Sequence, residues 1–179
     1  MTRFATIVIA AGLGAPPVLA HDNAAEPRGC SAIQVTAPGL AKQPRNDRFS
    51  TKSILDLEFE TRLERPVYGD HVLRFKVFTP SGFLYQELAA PFSWPRPGRR
   101  HSRGTDIAPA SFPQGVKVQQ LGDAAARGQK SRDTLLVRLP VAGTSITMST
   151  LYGRWSIQAF LDDNTRPCSP SRRFTIDAR

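Results

Sequence analysis

The stretch SILDLEFETRL, residues 53–63, sets Leu55, Leu57, Phe59, Thr61 and Leu63 on one side of the chain. Asp56, Glu58, Glu60 and Arg62 fall on the other. Successive side chains of an extended chain point to opposite faces, so a period of two with charges in one phase is a strand with one face in a core and one in water. No segment shows a sustained helical period, and the chain is read outward from this strand as all-β.

Downstream, RPVYGDHVLRFKVFTPSGFLYQEL (65–88) places a Tyr-Gly-Asp turn before a strand whose inward set is Leu73, Phe75 and Val77. The turn TPSG follows, with Pro in its second position and Gly in its fourth, which suits a type I turn, and a returning strand completes a hairpin. Further strands are expected at VKVQQL (116–121), TLLVRLP (134–140), RWSIQAFLD (154–162) and RRFTI (172–176). In RWSIQAFLD, Trp155, Ile157, Ala159 and Leu161 share the inward face. Upstream, residues 21–50 are polar and broken by prolines and glycines, with one short strand at AIQVT (32–36), and are read as loosely attached except near Cys30. About seven short strands around a buried tryptophan predict a two-sheet antiparallel sandwich, with a partly open barrel as the other arrangement of the same strands.

Two of these segments, YGDHVLRFKVFTPSGFLYQEL (68–88) and LYGRWSIQAFLDDNTRPCSPSRRFTI (151–176), resemble the paired signatures of bacterial extracytoplasmic immunoglobulin-like domains of the macroglobulin or fibronectin type. The resemblance covers about half of the chain beyond residue 20 and implies an immunoglobulin-like sandwich without catalytic residues. Domains of that kind act as binding, spacer or assembly modules.

The first twenty residues read as a secretory signal: Arg3 as the positive region, FATIVIAAGLG as the apolar run and Val18-Leu19-Ala20 as the cleavage site. The apolar run is shorter than the roughly 20 residues that span a bilayer. Residues 21–179 then form a secreted or periplasmic product in two parts, the segment 21–50 and a sandwich domain 51–179. In an oxidising compartment, Cys30 and Cys168, the only cysteines, are expected to form a disulfide.

The formal charge is +9, or +8 without Arg3, and it invites an anionic partner. The 19 arginines against 5 lysines are also what a GC-rich genome would supply, so the charge alone assigns no site. Residues 91–115, PFSWPRPGRRHSRGTDIAPASFPQG, hold five prolines and four arginines without periodicity and read as a long loop, a class that is usually functional or disordered. Within it, Trp94 would stack on a ligand while Arg96, Arg99, Arg100 and Arg103 hold its anionic groups. Phe78 and Phe160 stand in the outward phase of their strands, and Tyr85 is grouped with them. They form either a surface covered by the loop or a patch for a partner. The expected partner is a protein or an anionic glycan of the cell envelope; nucleic acid is disfavoured.

A metal reading competes. Cleavage after Ala20 would expose His21 as an N-terminal residue, whose amine and ring suit Cu(II), with His71 as the second imidazole. His101 is the poorer partner because it lies among arginines. Asp162, Asp163 and Asn164 suit a turn rather than a calcium loop. Ser145 lacks the G-x-S-x-G context of a nucleophile, and Asp56, Glu58 and Glu60 lie in the solvent phase of their strand. The reading is therefore a non-enzymatic secreted module without a cofactor, the alternative being a copper-binding protein or copper-dependent oxidase.

Overall fold

The structure is a computed structural model that describes residues 29–96, 118–121 and 133–178. Residues 1–20, read above as a secretory signal, and His21, Arg99, Arg100, His101 and Arg103 lie outside the described residues.

The described chain is almost entirely β, in two sheets. Strands β1 (Gln34–Thr36), β3 (Asp56–Arg62) and β7 (Thr134–Pro140) form the smaller, in the order β1-β3-β7. The larger has the order β2-β9-β8-β4-β5-β6, from β2 (Arg48–Ser50), β9 (Arg172–Asp177), β8 (Gly153–Leu161), β4 (Gly69–Phe78), β5 (Leu84–Trp94) and β6 (Gln119–Gln120). A one-turn helix, α1 (Ser145–Met148), lies between β7 and β8 and is capped by the Thr144 hydroxyl.

Two features differ from the antiparallel seven-strand expectation. Nine strands are present among the described residues, and two pairings are parallel, β2 with β9 and β5 with β6. Parallel pairing needs a connection long enough to return the chain to its starting end. Residues 95–118 provide that length between β5 and β6.

The period of two in residues 53–63 is realised with one exception. Leu57, Phe59, Thr61 and Leu63 are buried, but β3 starts at Asp56, and Leu55 stands 72% exposed in the preceding turn. Phe59 reaches across to Phe174 of β9, ring centroids 5.4 Å apart, and Phe174 stacks on Trp155 of β8 at 6.4 Å. This aromatic column joins the two sheets, and the Trp155 indole N–H is satisfied by the Leu151 carbonyl at 3.0 Å.

Residues 29–50, expected to be loosely attached, supply the core with Ile33, Val35, Ala37 and Phe49. Their prolines and glycines punctuate two three-residue strands rather than detach the segment. Cys30 and Cys168 are joined in a disulfide. Cys30 bridges to Leu63 just beyond β3, and the Cys168 amide donates to the Ala159 carbonyl of β8, so the bond ties the smaller sheet to the middle of the larger one. Among the described residues, no helix is long and apolar enough to cross a membrane.

The hairpin between β4 and β5 forms at TPSG as expected. The Gly82 amide donates to the Thr79 carbonyl at 2.9 Å, and Gly82 has φ +86°, which glycine adopts without a side-chain penalty. Val77 pairs with Gln86 but Phe78 with Leu84, so Tyr85 is an extra residue on β5. The strand expected to end at Leu88 continues to Trp94, and residues 91–94 are therefore strand rather than the beginning of the long loop.

Candidate recognition surface

Alternation along β4, β8 and β9 decides which side chains leave the core. In VLRFKVF the buried Leu73, Phe75 and Val77 turn Arg74, Lys76 and Phe78 outward. Opposite them, β8 turns Arg154, Ser156, Gln158 and Phe160 to the same face, and β9 adds Arg173 and Thr175. The register sets Lys76 across from Gln158, Phe78 across from Ser156, Ser156 across from Arg173, and Arg154 across from Thr175. Cations from three adjacent strands thus share one pleated surface. The outer face of the smaller sheet carries Asp56, Glu58 and Glu60 instead, with Arg138 bonded to Glu58 at 2.6 Å. The outer faces of the two sheets differ in balance: three acids stand with Arg62 and Arg138 on the smaller, whereas on the larger Glu87, opposite Lys76, and Asp177 stand among more numerous cations.

These cations differ in how far they are committed. Arg74 is largely covered, bonded to Glu87 at 2.7 Å and near Asp163 at 3.4 Å, and it serves the sheet rather than a ligand. At the sheet edge Arg48 bonds Asp177 at 2.5 Å, and that hydrogen bond, reinforced by the carboxylate charge, raises its pKa above the ordinary arginine value. Lys76 leans over the Phe160 ring, its Nζ 4.6 Å from the centroid. Arg154 and Arg173 are exposed, and no salt bridge engages either among the described residues.

The outward phase of Phe78 and Phe160 agrees with the sequence reading, but their surroundings are unequal. Phe160 is 7% exposed beneath Lys76 and opposite Arg74, whereas Phe78 is half-buried. Tyr85 belongs to the other side of the sheet: the extra residue lets its ring meet the buried Trp155 edge-on, centroids 5.1 Å apart. Trp94 is 8% exposed at the end of β5, so its ring packs in the core rather than offering a face for stacking. Arg96 is exposed two residues beyond. The alternation of VLRFKVF, RWSIQAFLD and RRFTI held the signal for Lys76, Arg154 and Arg173. It was masked by the denser arginine cluster of residues 96–103.

His71 sits at the start of β4 with both ring nitrogens against neighbours. Nδ1 is 2.8 Å from Asp162 Oδ2, and Nε2 is 3.3 Å from the Tyr68 carbonyl. Asp162 also accepts the Val72 amide at 2.9 Å through its other oxygen. This arrangement straps the start of β4 to the end of β8. Asp162, read as a turn residue, occupies the left-handed region at φ +52°, which aspartate tolerates better than most side chains. A copper ion at His71 would have to take the nitrogen now facing the Tyr68 carbonyl. Among the described residues no group of three or more His, Cys, Asp or Glu is placed to hold a metal. Ser145 opens α1, and its hydroxyl meets the Tyr85 hydroxyl at 2.7 Å.

Comparison with family models, curated proteins and solved structures finds no match to this chain. The functional reading rests on the residues themselves.

Proposed function

We propose that the chain is a non-enzymatic binding module that works outside the cytoplasm on an immunoglobulin-like sandwich. Its basic outer sheet face recognises an anionic protein or glycan, and the arginines from Arg96 to Arg103 supply a second set of cations in the sequence. The carrying observation is the convergence of Lys76, Arg154 and Arg173, from three neighbouring strands, on a face with the half-buried Phe78. A rigid sheet presents these groups at fixed spacing, and guanidinium groups make paired, charge-assisted hydrogen bonds to carboxylate or sulfate. Export is supported by the signal pattern of residues 1–20 together with the disulfide between distant cysteines.

The test uses heparin as a sulfated-glycan probe and polyglutamate as a carboxylate probe. Lys76→Glu, Arg154→Glu and Arg173→Glu combined should lower the salt concentration needed to elute the protein from either probe. Deletion of residues 96–103 should lower it further. Elution unchanged by the three charge reversals would place recognition elsewhere.

A further inference from the structure

The opposite of a basic face lies at one end of the same sandwich. The connections 51–55, 79–83 and 141–152 contain a single charged residue, Lys52, in a chain that is 22% charged. They are contiguous in space. The Leu55 carbonyl accepts the amides of Val141 and Ala142 at 2.8 and 3.0 Å, and the Tyr85 hydroxyl meets Ser145 of α1. A Cβ placed on Gly153 would lie 3.1 Å from Pro80 of the hairpin turn. From this end project Leu55 at 72% exposure, Phe83 at 73%, Met148 at 74% and the exposed Leu84. These are four of the six large apolar side chains exposed among the described residues. The described residues that border the long undescribed segments, Gly29, Arg96, Leu121 and Asp133, lie at or toward the other end.

We propose that this uncharged end docks on an anionic lipid bilayer, with Phe83, Leu84, Met148 and Leu55 entering the boundary between headgroups and acyl chains while Lys52 and Arg154 meet the lipid phosphates. The apolar groups stand on separate protruding connections, a hairpin tip, a one-turn helix and a strand entry, interspersed with hydroxyls such as Ser81, Thr147 and Ser149. Apolar groups spread over separate connections and interleaved with hydroxyls suit a soft interface, which needs no rigid complementary surface. The charge pattern is complementary to anionic headgroups. The end itself carries no acid, the nearest ones being Asp56 and the Arg48-bonded Asp177 in the adjoining strands, and Arg154 of the basic face stands at its rim. Apolar insertion combined with basic residues at the rim is how interfacial segments hold anionic membranes. The surface meets the basic sheet face at Arg154, is otherwise built from different residues, and would orient that face alongside the membrane.

The experiment is co-sedimentation of the full secreted chain with vesicles of phosphatidylglycerol and phosphatidylcholine, and with phosphatidylcholine alone. Binding is expected on the anionic vesicles and should fall at least tenfold in a Phe83→Ser, Met148→Ser double variant, whose altered side chains are already in solvent. In a Phe83→Trp variant, excitation in the presence of anionic vesicles should give a blue-shifted emission component absent without lipid. Heparin retention of the double variant should stay unchanged, which separates this surface from the basic face. Absence of vesicle binding overturns the proposal. So does binding that survives Phe83→Ser, Met148→Ser but is lost on Lys76→Glu, Arg173→Glu, since the sheet face alone would then account for it. A concentration-dependent dimer abolished by Phe83→Ser, without vesicle binding, would assign the end to a second copy of the chain and overturn it equally.

Discussion

The hydroxyls of Tyr85 and Ser145 lie 2.7 Å apart and join the irregular start of β5 to the first residue of α1. Tyr85 reaches that position because it is the unpaired residue of β5, and its ring packs edge-on to Trp155. The two contributions separate by substitution. Tyr85→Phe removes only the hydrogen bond and should cost about 0.5–1 kcal/mol, at the low end because the pair is exposed. Tyr85→Ala also strips the cover from Trp155 and should cost about 2–3 kcal/mol. Urea unfolding of both variants, with Ser145→Ala completing a double-mutant cycle, measures each share.

The disulfide joins residues 138 positions apart, and both sulfurs sit in the core. In the chain-entropy account, closing so long a loop stabilises the fold by about 4–5 kcal/mol. The Cys30→Ala, Cys168→Ala variant should therefore lose roughly 2–5 kcal/mol, in line with native disulfides of small secreted domains. Its urea midpoint should no longer respond to reductant, whereas that of the parent should fall on reduction.

Much of this fold was legible because period two is a strong signal where one face is buried. SILDLEFETRL, VLRFKVF and RWSIQAFLD each became a strand with the expected inward side chains, and TPSG became the expected turn. What escaped depends on events outside any one segment. Residues 48–50 are too few to show a period, and they form β2 only because β9 offers an edge to pair with. Trp94 lies among prolines and glycines that suggest a loop, but its backbone continues the ladder opposite Gly69. Leu55 keeps the inward phase of β3 and is nevertheless exposed, because the strand begins one residue later. The basic face was hidden for a related reason: Lys76, Arg154 and Arg173 are unremarkable singly and converge only through the register of β4, β8 and β9.

Gly153 opens β8 at φ +134°, a conformation that L side chains rarely adopt, and an added Cβ would meet Pro80 Cβ and Cγ at 3.1 Å. Gly153→Ala should therefore destabilise the protein by about 1–3 kcal/mol through backbone strain and the clash with the hairpin. Gly39 also has positive φ, at +86°, but a Cβ there meets nothing within 4 Å. Gly39→Ala measures a positive-φ cost without a clash, at a less extreme φ, and thermal unfolding of the two variants should rank Gly153→Ala as the more damaging.

His71 and Asp162 close the other end of β4, and the two oxygens of Asp162 have different tasks. One accepts from the His71 ring and the other from the Val72 amide, while the residue holds φ +52°. Asp162→Asn can keep the amide bond and tolerates that backbone, so it should cost about 1 kcal/mol, the loss of the charged partner to His71. Asp162→Ala loses both bonds and is poorly suited to positive φ, so about 2–3 kcal/mol is expected. If the strap acts as a unit, His71→Ala should cost markedly less in the Asp162→Ala background than in the parent, with a coupling of about 0.5–1 kcal/mol in the double-mutant cycle. Additive losses would show instead that Asp162 stabilises the turn through Val72 alone and that the His71 ring contributes by packing against Phe92, whose ring centroid lies 5.6 Å away.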